Sequence, residues 1–209
     1  MIIPPDEIWI DPTDEMIEAG ATRLIALAGD GPQVLNIAWP TQPENLPDEK
    51  LAFLMAYWLH LERHEGTGLP RQDKVDCLDL VPTLGNVMLL DIEREGFDAR
   101  YRVYGTKIAV HASRDWTGWS VSDMNRETQT PAALLYRSGY RAVYRQKAPL
   151  YSEHASPRWV DVRSWRRLIL PLADERGSCS RFLVGNVAVG QRILSDEEMA
   201  DQKRRLHSG

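Results

Sequence analysis

Only two cysteines occur in 209 residues, Cys77 and Cys179, and neither lies in a CxxC pair or a Cys/His cluster. That argues against a structural zinc site and leaves two reduced thiols in a cytoplasmic chain as the expectation. Long apolar runs are also lacking. The longest, Leu51 to Leu59, falls well short of the roughly 20 residues that a membrane span requires. The start, MIIPPDEIW, has no basic opening and no cleavable apolar stretch, so no signal peptide is expected. Basic charge is not in excess: 25 Lys and Arg against 30 Asp and Glu give a net charge of -5. General nucleic-acid or anionic-membrane binding is therefore not expected. Catalytic signatures are missing too. There is no G-x-S-x-G, no phosphate-binding glycine loop and no paired-cysteine redox motif. His60 and His64 stand four apart in HLERH, but Leu61 occupies the position that a zinc-protease helix gives to glutamate. No enzyme is expected.

What is present suits a folded core of good size with appendages. Hydrophobic residues make up 43% and charged residues 26%, the ordinary balance of a globular domain. A first helix is predicted from near Asp11, with Asp11 as cap, Pro12 in the first turn, and Asp14 and Glu15 at the positive helix end. It should stop near Gly29–Pro32, and the stretch from Val34 to Asn45, with Pro40 and Pro43, reads as a linker. A second helix should begin near Pro47. Its middle, LAFLMAYWL, is apolar all round, which predicts burial on more than one side. A second copy of the chain is one source of that other side, with Phe53, Leu54, Tyr57 and Trp58 as the dimer contact.

Asn86 to Ile92 and Ala99 to Tyr104 read as two antiparallel strands joined by a turn at Arg94-Glu95-Gly96. Thr130-Pro131 opens a long helix to about Lys147. Three further strands are predicted at Leu150 to Glu153, Trp165 to Leu172 and Arg181 to Val189. Ser195 followed by Glu198 predicts a capping box on a terminal helix. The order is helices, hairpin, helical crossover and three-strand meander, an α+β layout with one antiparallel sheet. Residues 1–45 form an N-terminal helical extension and linker, 46–190 the main domain with its leading helix, and 191–209 a helical tail.

Particular words in that order resemble a bacterial subfamily of stand-alone PAS domains. They are Tyr57-Trp58, GLPRQDKVD (68–76), LLDIE (89–93), RYRVYGT (100–106), RDWTGWSV (114–121), ILPL (169–172) and FLVGNVAV (182–189). The resemblance runs from about Leu54 to Val189. Cys77 stands where the family usually has proline, SPRWVDVRSWRR (156–167) is a longer insertion than expected, and residues 1–45 lie outside the pattern. The resemblance implies a five-stranded antiparallel sheet cupping a small cavity under crossover helices. It also implies a sensory or regulatory role, through a small apolar or amphipathic ligand or a partner protein, with homodimerisation through flanking helices. An adaptor with a filled core is the alternative.

Several residues are candidates for lining such a cavity, each with plain core packing as the competing account. Strand alternation puts Tyr101 and Val103 on one face and Arg100, Arg102 and Tyr104 on the other. Trp116 and Trp119 flank a turn and offer a lid. Tyr136, Tyr140 and Tyr144 form a stripe on the long helix, and the neighbouring stripe of Arg137, Arg141 and Arg145 reads as a solvated face. Gly105 is expected to permit a sharp exit from its strand and Thr106 to cap the next helix. Arg114, Thr117 and Gly118 are expected to hold the crossover to the sheet. Trp159, Arg163, Trp165, Arg166 and Arg167 read as an exposed sheet face or loop, open to an acidic partner protein. His111 and His154 are the candidate ligands for a haem; no cofactor, haem or flavin, is required by the sequence.

Overall fold

The computed structural model describes residues 8–27, 36–112 and 114–206. Six strands, β1 (Ile37–Ala38), β2 (Val87–Glu93), β3 (Asp98–Tyr104), β4 (Leu150–Ala155), β5 (Val162–Ala173) and β6 (Cys179–Gln191), form one antiparallel sheet. Their order across it is β1-β4-β5-β6-β2-β3. The helices are α1 (Asp14–Ala26), α2 (Glu49–His60), α3 (Thr106–Ala112), α4 (Val121–Thr128), α5 (Ala133–Gln146) and α6 (Asp196–Leu206). The α+β layout with hairpin, crossover and meander is the one the sequence implies. The sheet gains a sixth strand beyond the expected five, because the two residues of β1 pair with Tyr151 and Ser152 on the edge of β4. Two residues are too few to show an alternating pattern in a sequence.

Both faces of the sheet are covered, and period-two alternation divides the core between them. In β5, Leu168, Leu170 and Leu172 pack toward α2, while Trp165 and Ile169 belong to the core under the crossover helices. In β6, Leu183 and Val187 join the first set, and Phe182 and Val184 the second. Helix α2 starts where Asp48 accepts hydrogen bonds from the amides of Lys50 and Leu51. Its Leu51, Leu54, Met55 and Trp58 are buried against the sheet, and Trp58 Nε1 donates to the Pro171 carbonyl at 2.8 Å. Gly185 admits this approach, since a Cβ there would lie 2.5 Å from Leu51 Cδ2. Of the four residues expected at a dimer contact, Leu54 and Trp58 are thus consumed within the chain. Tyr57, half-buried, also packs on this core, and its hydroxyl accepts from the Asp76 amide at 2.9 Å, which leaves Phe53 half-buried on the helix's other side.

The N-terminal extension is built into the other layer. Thr13, not Asp11, caps α1; the expected stop at Gly29–Pro32 lies outside the described residues. Ile17, Ala21 and Leu24 of α1 are buried. At Gly20 the helix touches α5 so closely that a Cβ would stand 2.2 Å from Ser138 Oγ. This contact corrects the reading of the arginine stripe as solvated. Arg141 and Arg145 both donate to Glu18 of α1, at 2.7 and 2.6 Å. Arg137, whose side chain is 3% exposed, donates to the Phe97 carbonyl at 2.9 Å. A helix face cannot tell in sequence whether water or another helix will meet its guanidinium groups.

The terminal capping box forms as expected: Glu198 N donates to Ser195 Oγ, and Ser195 N to Glu198 Oε2. No helix among the described residues is long and apolar enough to cross a membrane.

Candidate functional site

A cavity of about 80 Å³ lies between the sheet and the crossover helices. Its walls come from Tyr101 and Tyr104 of β3, Ile108 and His111 of α3, Trp116, Tyr136 of α5, and Trp165, Arg167 and Asn186 of the central strands. Pro157, Trp159 and Val160 from the β4–β5 connection and Gln202 of α6 also line it. Gln202 Nε2 donates to the Trp159 carbonyl at 2.9 Å, tying the terminal helix to that connection.

Strand β3 brings two tyrosines to this wall through a register shift. Leu89 pairs with Val103 and Leu90 with Tyr101, so Arg102 has no residue opposite it in the β2 register. An extra residue of this kind resets which side chains face the core. Tyr104 therefore joins Tyr101 at the cavity, with ring centroids 5.1 Å apart at 86°. Val103, expected beside Tyr101, is instead 46% exposed.

The hairpin and α3 meet at one backbone contact. The Gly85 carbonyl accepts from the amides of Lys107 and Ile108 at 2.9 and 3.3 Å. This carbonyl serves the helix start where the Thr106 side chain was expected to cap. Gly105 does not sit at positive φ. Glycine is needed there for room, since a Cβ would fall 2.3 Å from the Gly85 oxygen.

Arg167 is the chemically unusual member. It is 5% exposed, and its Nε and Nη1 have no hydrogen-bond partner among the described residues. Its guanidinium carbon lies 4.3 Å from the ring centre of Tyr136 and 5.7 Å from that of Tyr140. Burial raises the phenol pKa values of Tyr101, Tyr104, Tyr136 and Tyr140, so these rings are neutral at physiological pH. Beyond Tyr136 lies His154, whose Nε2 shares a hydrogen bond with the Tyr136 hydroxyl at 3.1 Å. Burial, reinforced by the charge on Arg167, lowers the His154 pKa to about 3.

That depression makes stability depend on pH. Below about pH 6.5 the unfolded chain takes up a proton at this histidine and the folded chain does not. Stability therefore falls with falling pH, at a limiting slope of about 1.4 kcal/mol per pH unit from this group. In urea unfolding at pH 7 and pH 5, His154→Gln should lose less stability between the two than the unsubstituted chain. Parallel losses would show that His154 titrates normally in the fold.

The other candidates are distributed as follows. Tyr101, His111, Trp116 and Tyr136 meet at the cavity. His111 Nδ1 is 2.7 Å from Asp161 Oδ1, and its ring stands edge-on to Trp165 at 5.8 Å. Tyr140 is wholly buried, stacked on Phe182 at 5.1 Å, and Tyr144 packs at the hairpin turn beside Gly96. Trp119 stands edge-on to Trp116, with Arg114 over both rings at 4.5 and 4.7 Å. In the same turn, Asp115 accepts from the Thr117 amide and hydroxyl, and Gly118 N donates to the Tyr101 carbonyl. The expected surface patch at 159–167 is corrected in part: Trp165 and Arg167 are buried, each 5% exposed, whereas Arg163 is exposed and Trp159 and Arg166 are half-buried. One signal for this was present in WRRLILPL. Alternation sets Arg167 on the same face as Trp165 and Ile169, an apolar face on which a lone arginine is out of character. Among the described residues, no group of three or more His, Cys, Asp or Glu side chains is placed to hold a metal ion.

No curated protein matches this chain. A solved structure of an RNA-binding light-oxygen-voltage receptor is similar at 12% identity and a TM-score of 0.37, over 90% of this chain and 51% of that one. This chain thus spans about half the length of that receptor. A family model for the PAS domain matches residues 48–187. That match takes in α2, the hairpin, the crossover helices and most of the meander, and so includes most of the residues that wall the cavity. The chain belongs to the PAS domain family.

Proposed function

We propose that this protein is a PAS sensory module that takes a small ligand into the aromatic cavity and passes occupancy on through altered protein association. The observation that carries this reading is the cavity itself, walled by β3, β5 and β6 and by three crossover elements, with α6 tied to the β4–β5 connection that lines it. A ligand there touches α3, α5 and the Trp159 segment at once. It shifts their arrangement only by binding one arrangement better than another. The outer side of α2, with Phe53, is the face we assign to a second copy or partner.

Freshly purified protein studied by native mass spectrometry, then in thermal unfolding against a panel of small organic compounds, tests this reading. Excess mass per chain, or a compound at about 100 times its Kd raising Tm by about 5–10 °C, is the expected result. Ala112→Phe, which narrows the cavity, should remove that rise. A bare chain mass together with a Tm that no compound moves would overturn the proposal.

A further inference from the structure

Granted the reading above, the cavity also shows what chemical class of ligand it takes. Arg167 is a permanent cation, since guanidinium does not lose its proton in proteins. It is buried, and two of its nitrogens lack an acceptor. Among the described residues, no carboxylate forms an ion pair with it. Its charge instead faces the rings of Tyr136 and Tyr140, at 4.3 and 5.7 Å, and burial holds both phenols neutral. Ring faces offset part of the cost of a buried cation but do not neutralise it. A void of about 10 Å³ lies on the side of Arg167 toward Ile169 and Gly139, room for a single water. Water there would satisfy a donor and leave the charge unpaired.

The remaining walls define the rest of the ligand. Ile108, Trp116 and Trp165 are apolar and border the same space. Asn186 sits directly across from Arg167 on the neighbouring strand and lines the same cavity. An apolar cavity of about 150 Å³ admits benzene, so about 80 Å³ suits something smaller. Guanidinium presents its donors in a planar fork that matches a carboxylate at two points. We infer that the cavity binds a short-chain organic carboxylate, its carboxylate paired with Arg167 and its alkyl part against Ile108, Trp116 and Trp165.

Equilibrium binding to the full chain tests this, with propionate as probe, propionamide as its neutral counterpart, and chloride and phosphate as inorganic anions. Propionate should bind at one per chain and at least about tenfold more tightly than propionamide. Arg167→Met should weaken propionate at least about tenfold while leaving propionamide little changed, with folding followed by circular dichroism. Should Arg167→Met fail to fold, Arg167→Lys and the acid–amide comparison on the unsubstituted chain still decide. Equal binding of propionate and propionamide would overturn the assignment of an acid while sparing the ligand-binding cavity. Binding of chloride or phosphate alone would overturn it in favour of a structural anion. Binding of none of the four would overturn it along with the cavity as a binding site for small acids and amides.

Discussion

Gly105→Ala should cost about 3 kcal/mol or more in urea unfolding, at the upper end of what overpacking usually costs. The added Cβ would sit 2.3 Å from the Gly85 oxygen, 2.7 Å from the Gly85 carbon and 2.8 Å from the Val87 oxygen. All three are backbone atoms, so no side-chain rotation relieves the clash. Moving Gly85 would also pull its carbonyl from the amides of Lys107 and Ile108, and so loosen the start of α3. That helix places Ile108 and His111 at the cavity. Gly118→Ala provides the contrast. Gly118 has φ +91°, and an added Cβ would meet nothing within 4 Å, so its cost is backbone strain alone, about 1–2 kcal/mol. A loss at Gly105 no larger than that at Gly118 would show that the β2–α3 contact is not rigid.

Arg167→Met should stabilise the ligand-free chain by about 1–3 kcal/mol, an unusual sign for a substitution at a site 5% exposed. An unpaired buried ion carries a penalty of several kcal/mol, of which ring contacts recover about 0.5–2. Methionine fills much of the same space without a charge and makes favourable contact with aromatic rings such as Tyr136 and Tyr140. Arg167→Ala would not show the gain, because it opens a void in a packed layer. Chemical denaturation of the ligand-free proteins reads the difference directly. A loss in Arg167→Met of the size predicted as a gain would make the guanidinium a structural clamp on the tyrosine rings. The binding role would then rest on the acid–amide comparison alone.

Much of the local architecture is legible in the sequence. Ser195 three residues ahead of Glu198 and alternating segments separated by turn residues each report on neighbours within a few positions. The hairpin, the long crossover helix, the meander and the capped tail all follow from such signals. The pattern misleads where one residue or one partner changes the outcome. The register shift at Arg102 turns Tyr104 inward and leaves Val103 exposed. Docking of α1 converts a stripe of arginines from a solvated face into a helix–helix seam.

By itself the sequence determined most of the elements, their order and the family, because hydrophobic period, caps and turns are short-range properties. Only the tertiary structure decided the site. The cavity gathers side chains from Tyr101 to Gln202, and whether an arginine among them finds a carboxylate, a ring or water depends on atoms that no spacing along the chain brings together.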